Sequence, residues 1–365
     1  MTTKLGQANP ANYQQQLDDK EKATKEQFSD FWQGDIEVHP SPPSHYRMRA
    51  EFKMWQQGAE AFYAMYQPGE YKKPVTLEWE FSVGAEKIVE LMPKLLEIVN
   101  TSELLRKRLF QVEFLTTTTG ESVTTLIYHK PLTEEWQAEA NALASSLNTH
   151  IIGRSKKQKI VLTQDYVEET LTISGTPFTY KQIESGFTQP NAVVCQKMLQ
   201  WAVDATANLG GDLVELYCGN GNFTLPLSKN FDKVLATEVS KTSVKAAEYN
   251  IEKNGCKNIT IARMSSEEFT EALNGVREFR RLKDIELDSY NFSTVFVDPP
   301  RAGLDEDTEA LISRFDNIIY ISCNPDTLAN NLANLRKTHE VERFALFDQF
   351  PYTDHRECGV ILTKK

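Results

Sequence analysis

Cysteine is scarce and scattered. The five residues at 195, 218, 256, 323 and 358 stand singly in a chain of 365. None falls in the short paired spacings of zinc or iron–sulfur sites, so neither a metal nor a cluster is expected. Long apolar runs are also missing. None approaches the roughly 20 residues that a membrane span requires, and no membrane association is expected. The opening MTTKLGQANPANYQQQLDDKEK lacks the apolar stretch and small-residue cleavage site of a secretory signal. The expectation is a cytoplasmic protein with reduced thiols. Excess positive charge is absent as well, since the formal net charge is −11, which counts against a simple nucleic-acid binder because phosphate rewards clustered Lys and Arg. There is no internal repeat and no low-complexity tract.

What is present is the balance of a globular protein, with 40% hydrophobic and 25% charged residues and enough length for two domains. Basic residues group locally in the first half: Arg47, Arg49 and Lys53, then Arg106 to Arg108, then Arg154, Lys156, Lys157 and Lys159. Residues 10–33 read as a polar helix with an apolar line through Tyr13, Leu17, Phe28 and Phe31, ended by PSPPS at 40–44. From there to about residue 180, alternating segments mix with helical ones. VEFLTTTTGESVTTLIYHK predicts a hairpin turning at Thr119-Gly120, whereas EKIVELMPKLLEIVN and TEEWQAEANALASSL predict helices. An α+β domain with a leading helix is therefore expected over 1–180.

Beyond FTQPN the text becomes strand, turn and helix in repetition: DLVELYCGNGN, KVLATEVS, NITIARM, TVFVDPP and NIIYISCNP. This rhythm predicts an α/β, Rossmann-like doubly wound sheet over 181–365. The closing VERFALFDQFPYTDHRECGVILTKK predicts a hairpin at the sheet edge.

Chemistry gathers at the strand ends. Gly219 and Gly221 lie where the first strand turns into a helix, so a ligand can approach the backbone there. The third glycine of the dinucleotide fingerprint is missing, since Phe223 and Thr224 follow. About twenty residues on, Glu238 occupies the position from which an acid reaches ribose hydroxyls. Together these point to a nucleoside cofactor without a pyrophosphate, which S-adenosylmethionine fits better than a nicotinamide dinucleotide. Asp298 ends a later strand before two prolines and is a candidate hydrogen-bond acceptor. Cys323 ends the next, flanked by Ser322 and Asn324, where a thiol can be exposed and activated. The other four cysteines read as small buried hydrophobes. Glu357, in the charged run 354–358, becomes a base within reach of Cys323 if the final hairpin folds over the crevice.

These segments resemble the RNA 5-methyluridine methyltransferase family, its tRNA-modifying branch in particular. The resemblance rests on SHYRMRAEF (44–52), LFQVEFLTT (109–117), FTQPNA (187–192), ELYCGNGNFTLPL (215–227), ATEVS (236–240), DPPRAGLD (298–305), YISCNP (320–325) and LFDQFPYTDHRECGVILT (346–363). It implies methylation of uridine C5 in the T-loop of tRNA and in the T-loop mimic of tmRNA. It also implies that Gln189, Tyr217, Gly219, Asn222, Glu238 and Asp298 contact S-adenosylmethionine, that Cys323 is the nucleophile, and that Glu357 is the proton acceptor. The ribosomal-RNA members of the family carry a cluster-binding cysteine set and usually an N-terminal RNA-binding barrel. Neither is visible here, so ribosomal RNA is the alternative substrate and tRNA the expected one.

Uracil C5 is a poor nucleophile until a thiolate adds at C6, and a carboxylate must then take the C5 proton. The target base has to leave its stack, at a cost of a few kcal/mol. Stacking on first-domain aromatics would offset this by about 1–3 kcal/mol per base. Phe110 and His129 are the candidates, with Tyr46, Arg47 and Arg49 as further RNA contacts, so the first domain is the expected RNA-binding one. A monomer is expected. Rival readings are a nicotinamide-dependent oxidoreductase, opposed by the absent glycine; an RNA-binding protein with a vestigial catalytic domain, opposed by the intact reactive positions; and an adenine amino-methyltransferase, which needs no cysteine.

Overall fold

The computed structural model describes residues 4–67, 69–70 and 72–365. The chain forms two compact units. The first comprises residues 42–170 and 182–192 with the first eleven. Its seven-stranded sheet runs in the order Val75–Thr76, Glu60–Met65, Arg49–Gln57, Leu109–Thr116, Ser122–Tyr128, His150–Ser155, Gln158–Val161. The helix Glu86–Thr101 turns Ile88, Leu91, Met92, Leu95 and Val99 inward, the three-and-four spacing of one apolar face. The helix Glu134–Leu147 is capped by Thr133, whose side chain accepts from the Trp136 N–H, and it ends at a left-handed Asn148. The hairpin forms where the alternation placed it. Gly120, at φ 85°, closes the turn by donating to the Thr117 carbonyl at 3.0 Å.

The second unit comprises residues 12–41, 171–181 and 193–365. Its eight strands run in the order Glu37–His39, His339–Phe347, Glu357–Lys364, Asn317–Ser322, Phe292–Val297, Asp212–Leu216, Lys233–Thr237, Ile259–Ala262. The last five positions of that order are mutually parallel, while Glu357–Lys364 runs antiparallel to both its neighbours. This is the expected Rossmann-like sheet. Its chain order reverses at Asp212–Leu216, the switch point where open α/β sheets leave a crevice. The central strand Asp212–Leu216 is buried throughout, as a sheet covered on both faces requires.

Three expectations are corrected. The leading helix, Tyr13–Gln27, belongs to the second unit and not to a 1–180 domain, because Phe28 and Ile36 bury in the second unit's core and Glu37–His39 pairs with Ala345–Phe347. Phe28 lies 4.8 Å from Phe344, ring centroid to centroid, and each such buried aromatic contributes about 1.5–3 kcal/mol. The segment 171–181 also belongs with the second unit. There the Lys181 N–H donates to Asn250 and the Thr179 N–H to Asn254, at 2.7 and 2.9 Å. Finally, the closing hairpin is not the sheet edge. The return strand inserts beside Asn317–Ser322, and Glu37–His39 covers the outside by parallel pairing.

Candidate active site

Two glycines shape the turn after Asp212–Leu216 for different reasons. Tyr217, Gly219 and Gly221 all take left-handed φ values of 62°, 56° and 83°, a conformation that costs a residue with a Cβ roughly 1–2 kcal/mol. A Cβ on Gly221 would strike Leu225 Cδ1 at 2.8 Å, so that glycine serves packing. A Cβ on Gly219 would meet nothing within 4 Å, so the space over this peptide is open to a ligand. The Gly219 N–H donates to Glu238 Oε2 at 3.0 Å and the Ser240 N–H to Glu238 Oε1 at 2.7 Å. Glu238 is thereby oriented beside the turn with acceptor capacity left on both oxygens. Tyr217 is fixed by a 2.9 Å hydrogen bond between its hydroxyl and Ser266 Oγ. Asn222 approaches the Cys195 sulfur at 3.4 Å through Nδ2, and its carbonyl accepts from the Tyr180 hydroxyl at 3.0 Å.

Cys323 follows the strand Asn317–Ser322 directly. Asn324 then caps the helix Pro325–Leu335, accepting from the Asp326 N–H, while its Nδ2 holds the Arg301 carbonyl at 2.9 Å. The strand ends one residue before the cysteine and the helix starts two residues after it, so the turn that carries Cys323 is anchored on both sides. The antiparallel register pairs Asn317 with Thr363 and Ser322 with Cys358. Cys323 follows Ser322 and Glu357 precedes Cys358, the last pair of that ladder, and the charge of Glu357 acts on the Cys323 thiol. Asp298 follows Val297, whose partner is Tyr320, so it reaches the same end of the sheet.

The electrostatics of this end are of one sign. Burial and then the negative charges of Glu357 and Asp298 push the Cys323 thiol up to about 11, against a smaller opposing pull from Arg301. Burial, followed by Asp298, holds the Glu357 carboxyl well above the usual range, and Glu357 is only 3% exposed. Burial also raises Asp298. Behind them, inside the central strand, Glu215 is raised to about 8 by burial first and Asp298 second. Like charges this close in a dry site cannot all ionise together. Burial and these like charges together favour the protonated thiol.

Tyr217, Gly219, Asn222, Glu238, Asp298, Cys323 and Glu357 thus gather along the carboxyl edge of one sheet. Gln189 lies in the first unit, between the strand that ends at Ile183 and the helix that starts at Ala192. Among the RNA candidates, Phe110 stacks on His129 with centroids 4.1 Å apart and planes at 22°, and Lys53 Nζ sits 4.2 Å from the Phe110 centroid. Phe110 is 37% exposed, an unusual position for an aromatic at the start of a strand. Arg47 donates to the Arg49 carbonyl and Arg49 to the Glu184 carbonyl, at 2.9 and 3.0 Å. Tyr46 is 5% exposed and packs in the core, so its ring has no free face in this conformation. Reading the sequence overlooked Glu215, Arg301 and Cys195. Glu215 carried a signal, a charge inside the apolar run DLVEL, whereas Cys195 comes beside Asn222 only through folding.

The sequence profile of the tRNA (Uracil-5-)-methyltransferase family matches residues 12–365. The chain is 99% identical over the full length of both chains to a tRNA/tmRNA (uracil-C(5))-methyltransferase of Saccharophagus degradans. It is 62% identical, over 99% of each chain, to the protein of the same description from Teredinibacter turnerae. Among solved structures it resembles the Pyrococcus abyssi tRNA (uracil-54, C5)-methyltransferase in complex with S-adenosyl-L-homocysteine. The TM-score is 0.71 at 20% identity, covering 96% of this chain and 84% of that one, a likeness of fold.

Proposed function

Because the chain belongs to the tRNA (uracil-5-)-methyltransferase family, we propose that it methylates C5 of a uridine in the T-loop of tRNA and in the similar loop of tmRNA. The observation that supports the mechanism is the ladder that ends at Ser322 and Cys358, since Cys323 follows the one and Glu357 precedes the other, within electrostatic reach. S-adenosylmethionine fits the open space over Gly219 and the oriented acceptor Glu238, with Tyr217, Asn222, Asp298 and Gln189 as further contacts. When bound it supplies an electrophilic methyl group.

The protein's own groups do the rest. The Cys323 thiol gives its proton to water and the sulfur bonds to uracil C6, moving the C5–C6 electron pair into an enolate, with the charge on the C4 carbonyl oxygen, that makes C5 nucleophilic. Once C5 carries the methyl group, Glu357 takes the C5 proton. The freed electron pair restores the C5–C6 double bond and expels the sulfur as thiolate. A carboxylate raised by burial is a stronger base than an exposed one, which suits this step. In the first unit, Phe110 and His129 supply a stacking platform for displaced bases, and Arg47 and Arg49 lie nearby in sequence to Tyr46 as further RNA contacts. The enzyme acts as a cytoplasmic monomer and needs no metal.

The test is incubation with labelled S-adenosylmethionine and a T-arm RNA carrying uridine or 5-fluorouridine at the target. The uridine RNA becomes methylated. The fluorinated RNA, whose C5 has no proton to lose, stays covalently attached to Cys323. Methylation of the first without any trapping of the second would overturn attack at C6.

A further inference from the structure

The leading helix spends its polar face on one loop. Tyr13, Gln16, Lys20, Thr24 and Gln27 recur at intervals of three or four, which aligns them along one side of the helix Tyr13–Gln27. Each is hydrogen-bonded to the segment 348–356, the connection that delivers Glu357 into its strand. Asp348 is held by the Tyr13 hydroxyl, by Gln16 Nε2 and by Lys20 Nζ, each at 2.8 Å. Lys20 also donates to the Phe350 carbonyl at 2.7 Å, and Gln16 Oε1 accepts from the Tyr352 N–H at 3.1 Å. At the far end of the helix the Arg356 guanidinium donates to Thr24 Oγ1 at 3.2 Å and to Gln27 Oε1 at 2.5 Å.

Gln27 has a second partner. Its Nε2 donates to Asp326 Oδ1 at 2.7 Å, in the first turn of the helix that starts two residues after Cys323. One amide thus ties the neighbour of Glu357 to the turn that follows Cys323. A nine-residue connection is mobile unless something holds it, and proton abstraction tolerates little misplacement.

We propose that the helix Tyr13–Gln27 is a positioning device for the base step, and that Gln27 is the residue that fixes the Glu357 loop against the Cys323 turn. The inference rests on the reaction proposed above. Glu357 acts only after methyl transfer, so loosening its loop delays release of the methylated RNA and leaves addition of the thiolate in place.

The experiment compares wild type with Gln27→Ala and Gln16→Ala, two partly exposed positions whose replacement leaves no buried charge unpaired. Single-turnover methylation of a T-arm RNA is followed on denaturing gels that retain the protein–RNA adduct, alongside kcat, KM for RNA and Tm. Gln27→Ala should lower kcat by about tenfold and accumulate methylated adduct, with KM and Tm little changed; Gln16→Ala should do the same more weakly. An unchanged kcat, or a fall in kcat with no accumulated adduct, would overturn the role of the helix. Failure of the wild-type chain to methylate the RNA would overturn the reaction itself, and with it this inference.

Discussion

Ser322 and Cys358 face each other as the last pair of an antiparallel ladder, so Cys323, which follows one, and Glu357, which precedes the other, meet at one end of the sheet, where the charge of Glu357 acts on the thiol. In the proposed reaction the two residues carry separate steps. Cys323→Ala should abolish methylation while leaving S-adenosylhomocysteine binding intact by calorimetry. Glu357→Gln should carry one round of methyl transfer, accumulate a covalent protein–RNA adduct and lower turnover by about 10²- to 10⁴-fold. A Cys323→Ala protein that still methylated uridine would remove the basis of the mechanism.

The resting thiol sets a pH dependence. Cys323 sits near 11, held up by burial and by Glu357 and Asp298, so at any pH below that its thiolate is the minority form. Alkylation of the RNA-free protein by iodoacetamide should accelerate by about tenfold for each pH unit and level off only near that value, well above a free cysteine. Removing a like charge lowers the thiol, so Asp298→Asn and Glu357→Gln should both move the plateau to lower pH. Peptide mass spectrometry at Cys323 resolves it from the four other cysteines. A wild-type plateau at the ordinary cysteine value would contradict the electrostatics of the site.

The two glycines of the turn should respond differently to alanine. Both adopt left-handed backbone, so each substitution costs about 1–2 kcal/mol in conformation. Gly221→Ala also drives a methyl into Leu225 at 2.8 Å and should show the larger loss of Tm. Gly219→Ala meets no protein atom and should fold more nearly as wild type, yet place a methyl where the ligand approaches. Calorimetry with S-adenosylhomocysteine should find the Gly219 variant impaired in binding beyond what its Tm explains. Equal affinity of wild type and Gly219→Ala would place the ligand elsewhere.

Much of this protein is determined by local sequence. The parallel strands are short apolar runs, each followed by a polar or glycine-containing turn. That pattern sets strand, turn and helix without regard to distant residues, so local sequence alone puts Gly219, Glu238, Asp298 and Cys323 at strand ends. Glu357 was legible as a charge set between two apolar runs, but its position was not. Tertiary structure decided that its strand inserts beside Asn317–Ser322, because pairing register is a property of two segments and cannot be read from either one. Likewise the polar residues of the leading helix carry no local mark of purpose. Only folding turned Lys20 and Gln27 from surface side chains into partners of Asp348, Arg356 and Asp326, residues about 300 positions away, and only burial in the folded chain raised the Cys323 thiol, whose pKa no sequence motif encodes.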